Sequence, residues 1–348
     1  MADLKGLRVG YVPYSTALTL PGDRRRFAGY AQARSIDFEI ADPRKAYDVV
    51  VLSERADITV WRDYRKGKLV FDLIDSYLAI PRTDLKGRLR GLAKFVSRQH
   101  RYLRLDHWRA LEEMCRRSDA VICTTAEQRR DIEKFCSNVH IILDIHSSVI
   151  QQVKTDYDAG PEFTLVWEGL PATVEGLFLI KDALHAVHRN RPISLQVVTD
   201  PLHYRFLAQY GGRDVLDMVR KLELPVTLHP WDEKTCAEIL CVCDAALIPL
   251  DLNDPFAAGK PENKLLLLWR MGIPTVVSAS PAYERAMAAA GLDYACRTAS
   301  DWQRRIEHLI ENQSARIEAG TRGREYAETH FGEAQLLAQW DAMFASLL

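Results

Sequence analysis

The apolar positions of this chain fall into short β-branched runs separated by longer stretches with helical spacing. Residues 7–12, 36–41, 47–52, 68–73, 120–124 and 139–143 read as strands, with polar turns or amphipathic segments between them. The pattern then starts again with 163–167, 195–198, 226–228, 244–250, 273–278 and 294–296. Helical spacing lies between, most clearly over 126–135, 174–188 and 261–272. Strand and helix alternating throughout predict parallel sheets joined by right-handed crossovers. The polar stretch 151–162 ends in Gly160-Pro161 and reads as a linker. The expected domains are therefore 1–155 and 156–330, followed by a helix over 331–348. The capping-box spacing of Ser300 and Gln303 starts the C-terminal helices, the first burying Trp302, Ile306 and Leu309 on one face.

The stretch 254–278 is the most informative. Asn253, Asp254, Pro255 and Gly259 form a loop, and Pro261 suits a first helical turn. The run Leu265, Leu266, Leu267, Leu268, Trp269 and Met271 makes a largely buried helix that Gly272 stops. Lys260 lies in the loop and Lys264 in the first turn. Cations there oppose the helix dipole by roughly 0.3–1 kcal/mol each, so a purely structural sequence would place acids instead. Two lysines and a helix N-terminus make a seat for a diphosphate. The plain alternative is a solvated loop and turn.

The run from Asn263-Lys264 to Gly272-Ile273-Pro274-Thr275-Val276-Val277-Ser278 resembles the C-terminal signature of group-1 glycosyltransferases. Ile248-Pro249-Leu250, Gly259-Lys260, Trp167-Glu168-Gly169 and the segment from Gly323-Arg324 to Phe331 strengthen it, so the resemblance covers most of 163–348. It implies the GT-B fold, in which two Rossmann-like doubly wound parallel-sheet domains face one another across a cleft. The N-terminal domain would take the acceptor and the C-terminal domain the donor, and the last helix would cross back. The implied activity moves a sugar from a phosphate-activated donor, a nucleotide sugar, to a carbohydrate or lipid-linked acceptor. It implies retention of configuration and calls for no cofactor or metal.

Lys260, Lys264, Gly259, Glu262, Asn263, Glu168 and Gly169 would hold the donor. Ser15 and the arginines Arg24, Arg25 and Arg26 lie where the family lines its cleft. Trp231 lies in a loop that approaches the base, or is a packing residue. Asp72 and Asp75 follow a hydrophobic strand and would face the acceptor, serving as the carboxylate base if the enzyme inverts instead; or Asp75 or Ser76 simply caps a helix. Their Asp-x-x-Asp spacing, with Ile74 where a second carboxylate would stand, rejects a dehalogenase-type phosphatase. One departure is Leu267, where the family places the glutamate that holds the donor's ribose. Either Glu262 takes over, or the donor lacks a nucleoside, as phosphoribosyl pyrophosphate would be, or the chain is a non-catalytic subunit. A periplasmic-type binding protein would share the two-lobed pattern, but residues 1–5 have no signal-peptide character.

Bulk composition narrows the partners. The 348 residues carry a net charge of −1, which gives no general attraction to nucleic acid. No apolar run approaches the roughly 20 residues of a membrane span. The seven cysteines include no Cys-x-x-Cys pair, and Cys123 and Cys243 sit in apolar runs, consistent with a reduced cytoplasmic setting. Residues 82–110 stand apart: nine lysines and arginines face only Asp84 and Asp106, with apolar residues interleaved at helical spacing. Such a segment can lie on an anionic membrane surface, making the protein peripheral to it, or pack one stripe on its own domain. His100 and His107 lack ligand partners at metal-binding spacing.

Overall fold

The computed structural model describes residues 4–82, 86–203 and 212–348, with 86–88 described by their backbone alone. Asp84 and the side chains of Lys86 and Arg88 lie outside the described residues. The chain divides into two units, one of Met1–Ile145, Gly259–Pro261 and Glu333–Leu348, the other of His146–Ala258 and Glu262–Gly332.

In the first unit the strands are β1 (Val9–Val12), β2 (Glu39–Ile40), β3 (Val49–Ser53), β4 (Lys68–Asp72), β5 (Ala120–Cys123) and β6 (Val139–Ile141). They form one sheet in the order β2-β1-β3-β4-β5-β6, parallel throughout. All five residues of β3 are buried, as expected of a central parallel strand covered on both faces.

In the second unit β7 (Phe163–Glu168), β8 (Ile193–Thr199), β9 (Leu202–His203), β10 (Arg213–Asp214), β11 (Val226–Pro230), β12 (Ala245–Ile248), β13 (Thr275–Ser278) and β14 (Ala295–Cys296) follow. β9 and β10 form a small antiparallel pair. The rest make a second parallel sheet in the order β11-β8-β7-β12-β13-β14. In each sheet the strand order reverses once, between β1 and β3 and between β7 and β12. Ligands of doubly wound sheets bind beyond the carboxyl ends of strands at such a reversal.

The β-branched runs fold as strands where the pattern placed them, with ends shifted by up to three residues. Four helical expectations need correction. The helix expected over 174–188 is a 3-10 segment, Pro171–Ile180, followed by an α-helix, Lys181–Asn190. The helix after residue 21 is split into Pro21–Arg24 and Phe27–Arg34, so the three arginines do not share a first turn. Residues 82–110 are not one helix. Lys86–Val96 ends in a turn where Arg98 adopts φ +59, and a second helix, His107–Arg117, starts on the side chain of Asp106. The capping box of the helix Ala299–Glu311 is Thr298 with Asp301, not Ser300 with Gln303, although Trp302, Ile306 and Leu309 are buried as read.

The helix Asn263–Arg270 ends as the sequence predicts, with Gly272 at φ +71 and the Ile273 amide returning to the Leu268 carbonyl. It packs on the helix Gln313–Phe331. A Cβ on Gly323 would come within 2.6 Å of the Trp269 ring. The glycine that opens the Gly323-Arg324 to Phe331 segment is thus required by close helix packing.

Candidate functional site

In the second unit, β7 ends on Glu168 and passes into Gly169 beside the reversal of strand order. Lys264, in the first turn of Asn263–Arg270, extends to this point. Its Nζ donates to the Glu168 carbonyl at 2.5 Å and stands 5.1 Å from the centre of the Trp167 ring. A Cβ on Gly169 would lie 2.5 Å from that Nζ, so glycine leaves the space the ammonium occupies. The Glu168 carbonyl and the face of the Trp167 ring position the ammonium at the end of β7. Lys264 is half-buried, which departs from the plain alternative of a solvated first turn.

Glu262 occupies the N-cap without capping through its side chain. Its charge bears on Tyr283 and Tyr326, raising both phenols in addition to the effect of their burial. Asn263 is the first residue of the helix. Leu267 is 1% exposed, so this position faces the core. Trp231 follows β11, and its amide donates to the Thr199 carbonyl at 3.1 Å.

The first unit arranges its residues differently. Arg26, grouped with the phosphate-binding arginines by the sequence, is 0% exposed. Its guanidinium grips both oxygens of Asp72, donates to the Ile142 carbonyl and reaches Asp144 at 3.3 Å. Asp72, 2% exposed, is committed to that pair. Neither residue is open to a ligand, and both expectations are corrected: they clamp β4 to the chain after β6. Arg24 closes the short helix. The Arg25 carbonyl accepts from the Ile145 amide at 2.8 Å. Ser15 is held locally, its hydroxyl donating to the buried Asp23 at 3.3 Å and accepting from the Thr19 amide. Asp23 also takes the Tyr11 hydroxyl and the Tyr14 and Ser15 amides, which fixes the loop after β1.

Asp75 does stand at an exposed strand end, half-buried beyond β4. Burial raises its carboxyl, opposed by the charges of Lys260 and Arg90. Gly259, which belongs with Lys260 and Pro261 to this unit, accepts from the Ser76 hydroxyl at 2.8 Å. Sequence reasoning missed Glu54, directly after β3. Its carboxylate accepts from the Asp75 amide at 3.2 Å. Burial, then the charge of Asp75, pushes its carboxyl up to about 8. A single acid after a strand gives no pattern to read; only its position at a strand's carboxyl end could have flagged it.

Lys94, within the basic stretch, is pushed down to about 8 by burial and by Arg90. His100 and His107 lie with ring centres 5.7 Å apart, and burial lowers them to about 4 and about 2. Among the described residues no group of three or more His, Cys, Asp or Glu could hold a metal ion. A depression of about 900 Å³ in this unit is lined by Asp48, Lys68 and Asp119, at the amino ends of β3, β4 and β5. That is the edge opposite to the one that binds ligands in such sheets.

The two sheets, their strand orders and their switch-point loops define the GT-B fold. Among solved structures, the chain is similar to HepE of Anabaena in complex with UDP and glucose, at 11% identity and a TM-score of 0.65, over 98% of this chain and 100% of that one. It is also similar to sucrose-phosphate synthase of Thermosynechococcus elongatus, at 13% identity and a TM-score of 0.60, over 97% and 80%. A third likeness is to TarM, whose S. aureus protein was solved with UDP. There the identity is 11%, the TM-score 0.60 and the coverage 85% and 54%, so the chain spans about half the length of TarM. At these identities the likeness establishes the fold. No family model and no curated protein matches the sequence.

Proposed function

We propose that this protein is a glycosyltransferase that moves a sugar from a nucleotide-sugar donor to a carbohydrate or lipid-linked glycan. The observation that carries the reading is Lys264, held at the switch point of the second sheet on a glycine that leaves room for it. There the ammonium and the start of the helix Asn263–Arg270 neutralise the charge that develops on the leaving phosphate, a large source of rate in such transfers. Glu168, Gly169, Glu262, Asn263 and Trp231 border the donor. The UDP complexes of HepE and TarM support the donor class. The leaving phosphate takes the acceptor's proton, which gives retention of configuration without a metal.

Leu267 favours a second donor class. Its burial leaves no carboxylate there for a ribose, so a donor without a nucleoside, such as phosphoribosyl pyrophosphate, fits the same phosphate seat.

The acceptor side carries a membrane contact. Leu89, Leu92, Phe95, Val96, Tyr102, Leu103 and Leu105 make up half of the exposed large apolar side chains among the described residues. Arg90, Arg98, Arg101 and Arg104 alternate with them, and no acid lies between 86 and 105. That combination suits an anionic lipid surface on the cytoplasmic side. No described helix is long and apolar enough to cross a membrane.

The test incubates the full chain with labelled UDP-, GDP- and CDP-sugars and phosphoribosyl pyrophosphate, together with lipid extracts and glycans. Transfer from one nucleotide sugar with retained anomeric configuration is expected. Transfer from phosphoribosyl pyrophosphate alone establishes the second reading, and no transfer from any donor overturns both. Binding to anionic but not neutral vesicles, lost at high salt, checks the membrane contact.

A further inference from the structure

The depression at the amino ends of β3, β4 and β5 lies within the first unit and has a volume of about 900 Å³. Six lysines and arginines line it against four acids. Two of those arginines meet at one point, one from the loop before β4 and one from the end of the helix His107–Arg117. Nη1 of Arg65 donates to the Tyr64 carbonyl at 2.8 Å, and Nε of Arg117 donates to the same oxygen at 2.7 Å. Two full positive charges thus share an acceptor that carries only a partial negative one, and they repel each other unless an anion joins them.

The carboxylates of the lining do not cancel this charge. Asp119 reaches Arg117 at 3.4 Å, but it also accepts from the Leu69 amide at 2.9 Å and from Lys68 at 3.3 Å. Glu113 pairs with Arg62. Arg65 donates otherwise to the Arg62 carbonyl, and Lys66 donates to the Arg44 carbonyl. Neither has a carboxylate partner among the described residues. Both Arg65 bonds use Nη1, which leaves its Nε and Nη2 without a partner among those residues. Arg62 caps the helix Ile58–Trp61 and Arg117 ends its own helix, and helix carbonyl ends favour cations. They supply partial charges, however, not the full one that Arg65 and Lys66 lack. The loop is also well seated. A Cβ on Gly67 would run into the Tyr47 carbonyl, and the Tyr64 hydroxyl accepts from the Tyr47 amide at 3.0 Å. Arg65 and Lys66 are exposed on this fixed loop, whereas the Arg117 side chain is only 13% exposed.

We propose that the depression is a second anion site, which takes a compact phosphate anion such as inorganic diphosphate. Nε and Nη2 of Arg65 form one edge of the guanidinium and match two phosphate oxygens, while Lys66 adds a point charge. Arg117 supplies the fixed charge behind them. The site stands at the opposite ends of β3 and β4 from Glu54 and Asp75, and the inference does not depend on the transferase reading.

The test titrates inorganic diphosphate by calorimetry into the full chain carrying Lys264→Ala, which removes the switch-point lysine. Saturable one-to-one binding is expected, and adding Arg65→Gln and Lys66→Gln should weaken it at least about tenfold. Both side chains are exposed, so these changes should leave the fold intact, which circular dichroism checks. Loss of all diphosphate binding in Lys264→Ala alone would confine the anion to the switch point and overturn the second site. Affinity unchanged by the Arg65 and Lys66 replacements would overturn it too. So would a heat that chloride reproduces at equal ionic strength, because general screening would then account for it.

Discussion

The carboxyl ends of the two sheets have the same architecture and opposite chemistry. At the reversal in the second sheet, a lysine ammonium stands over a tryptophan ring, beside a glycine, and donates to the Glu168 carbonyl. At the reversal in the first, the Glu54 carboxylate accepts from the Asp75 amide at 3.2 Å, and burial raises both carboxyls. Positive charge at a strand end suits a phosphate, whereas carboxyls there suit groups that donate hydrogen bonds. A doubly wound sheet therefore supplies only the place; the side chains after each strand decide what is bound.

The comparison is broken most severely at its structural supports. Arg26→Met leaves Asp72 and Asp144 buried without their cation, and losing one partner of a buried pair costs about 3–5 kcal/mol. Urea unfolding should show that loss in the first unit, and near-native stability would mean that the pair is not buried as described.

Next in size is the pH dependence of stability. The Glu54 carboxyl moves from an ordinary 4.5 to about 8 on folding. Between those values the folded protein keeps a proton that the unfolded chain has lost, so stability falls as pH rises through this window and levels off above it. The change is on the order of a few kcal/mol and is absent from Glu54→Gln. His100 and His107 act with the opposite sign. Their folded values lie below 6.5, so they bind fewer protons when folded, and their contribution is lost as pH falls below 6.5. With Glu54 replaced, the loss below 6.5 should persist. A Glu54→Gln stability profile identical to that of the parent would remove the carboxyl pair from the comparison.

The smallest change to stability is expected of Gly169→Ala. The added methyl displaces the flexible Lys264 tip and also lies 3.0 Å from the Trp167 ring and 3.1 Å from the Thr173 hydroxyl, so stability should fall by about 1 kcal/mol. Donor affinity should still drop, because the Lys264 ammonium can no longer rest where it does. Unchanged affinity would show that this ammonium position is irrelevant to binding.

Much of the fold was legible because local pattern carries it. The valine-rich run 49–52 is buried on both faces and sits in the middle of its sheet. Gly272 stops its helix with a positive φ that glycine adopts without strain. Lys264 was legible through its conflict with the helix dipole. The rest depended on distant partners. Arg26 looks like a surface cation until Asp72 and Asp144, 46 and 118 residues away, close around it. The break in the basic stretch turns on Arg98 at φ +59, a conformation no arginine advertises. Glu54 acquires its character only from Asp75 on the neighbouring strand end.

The central claim is that Lys264 and its helix hold a donor diphosphate, and calorimetry tests it most directly. UDP, GDP, CDP and phosphoribosyl pyrophosphate would be titrated in parallel into the parent protein and Lys264→Ala. The account predicts sub-millimolar binding of one nucleoside diphosphate, weakened by at least about tenfold in the variant, the scale of one charge-assisted hydrogen bond. Equal affinity in both proteins would contradict it, as would a parent protein that binds none of the four.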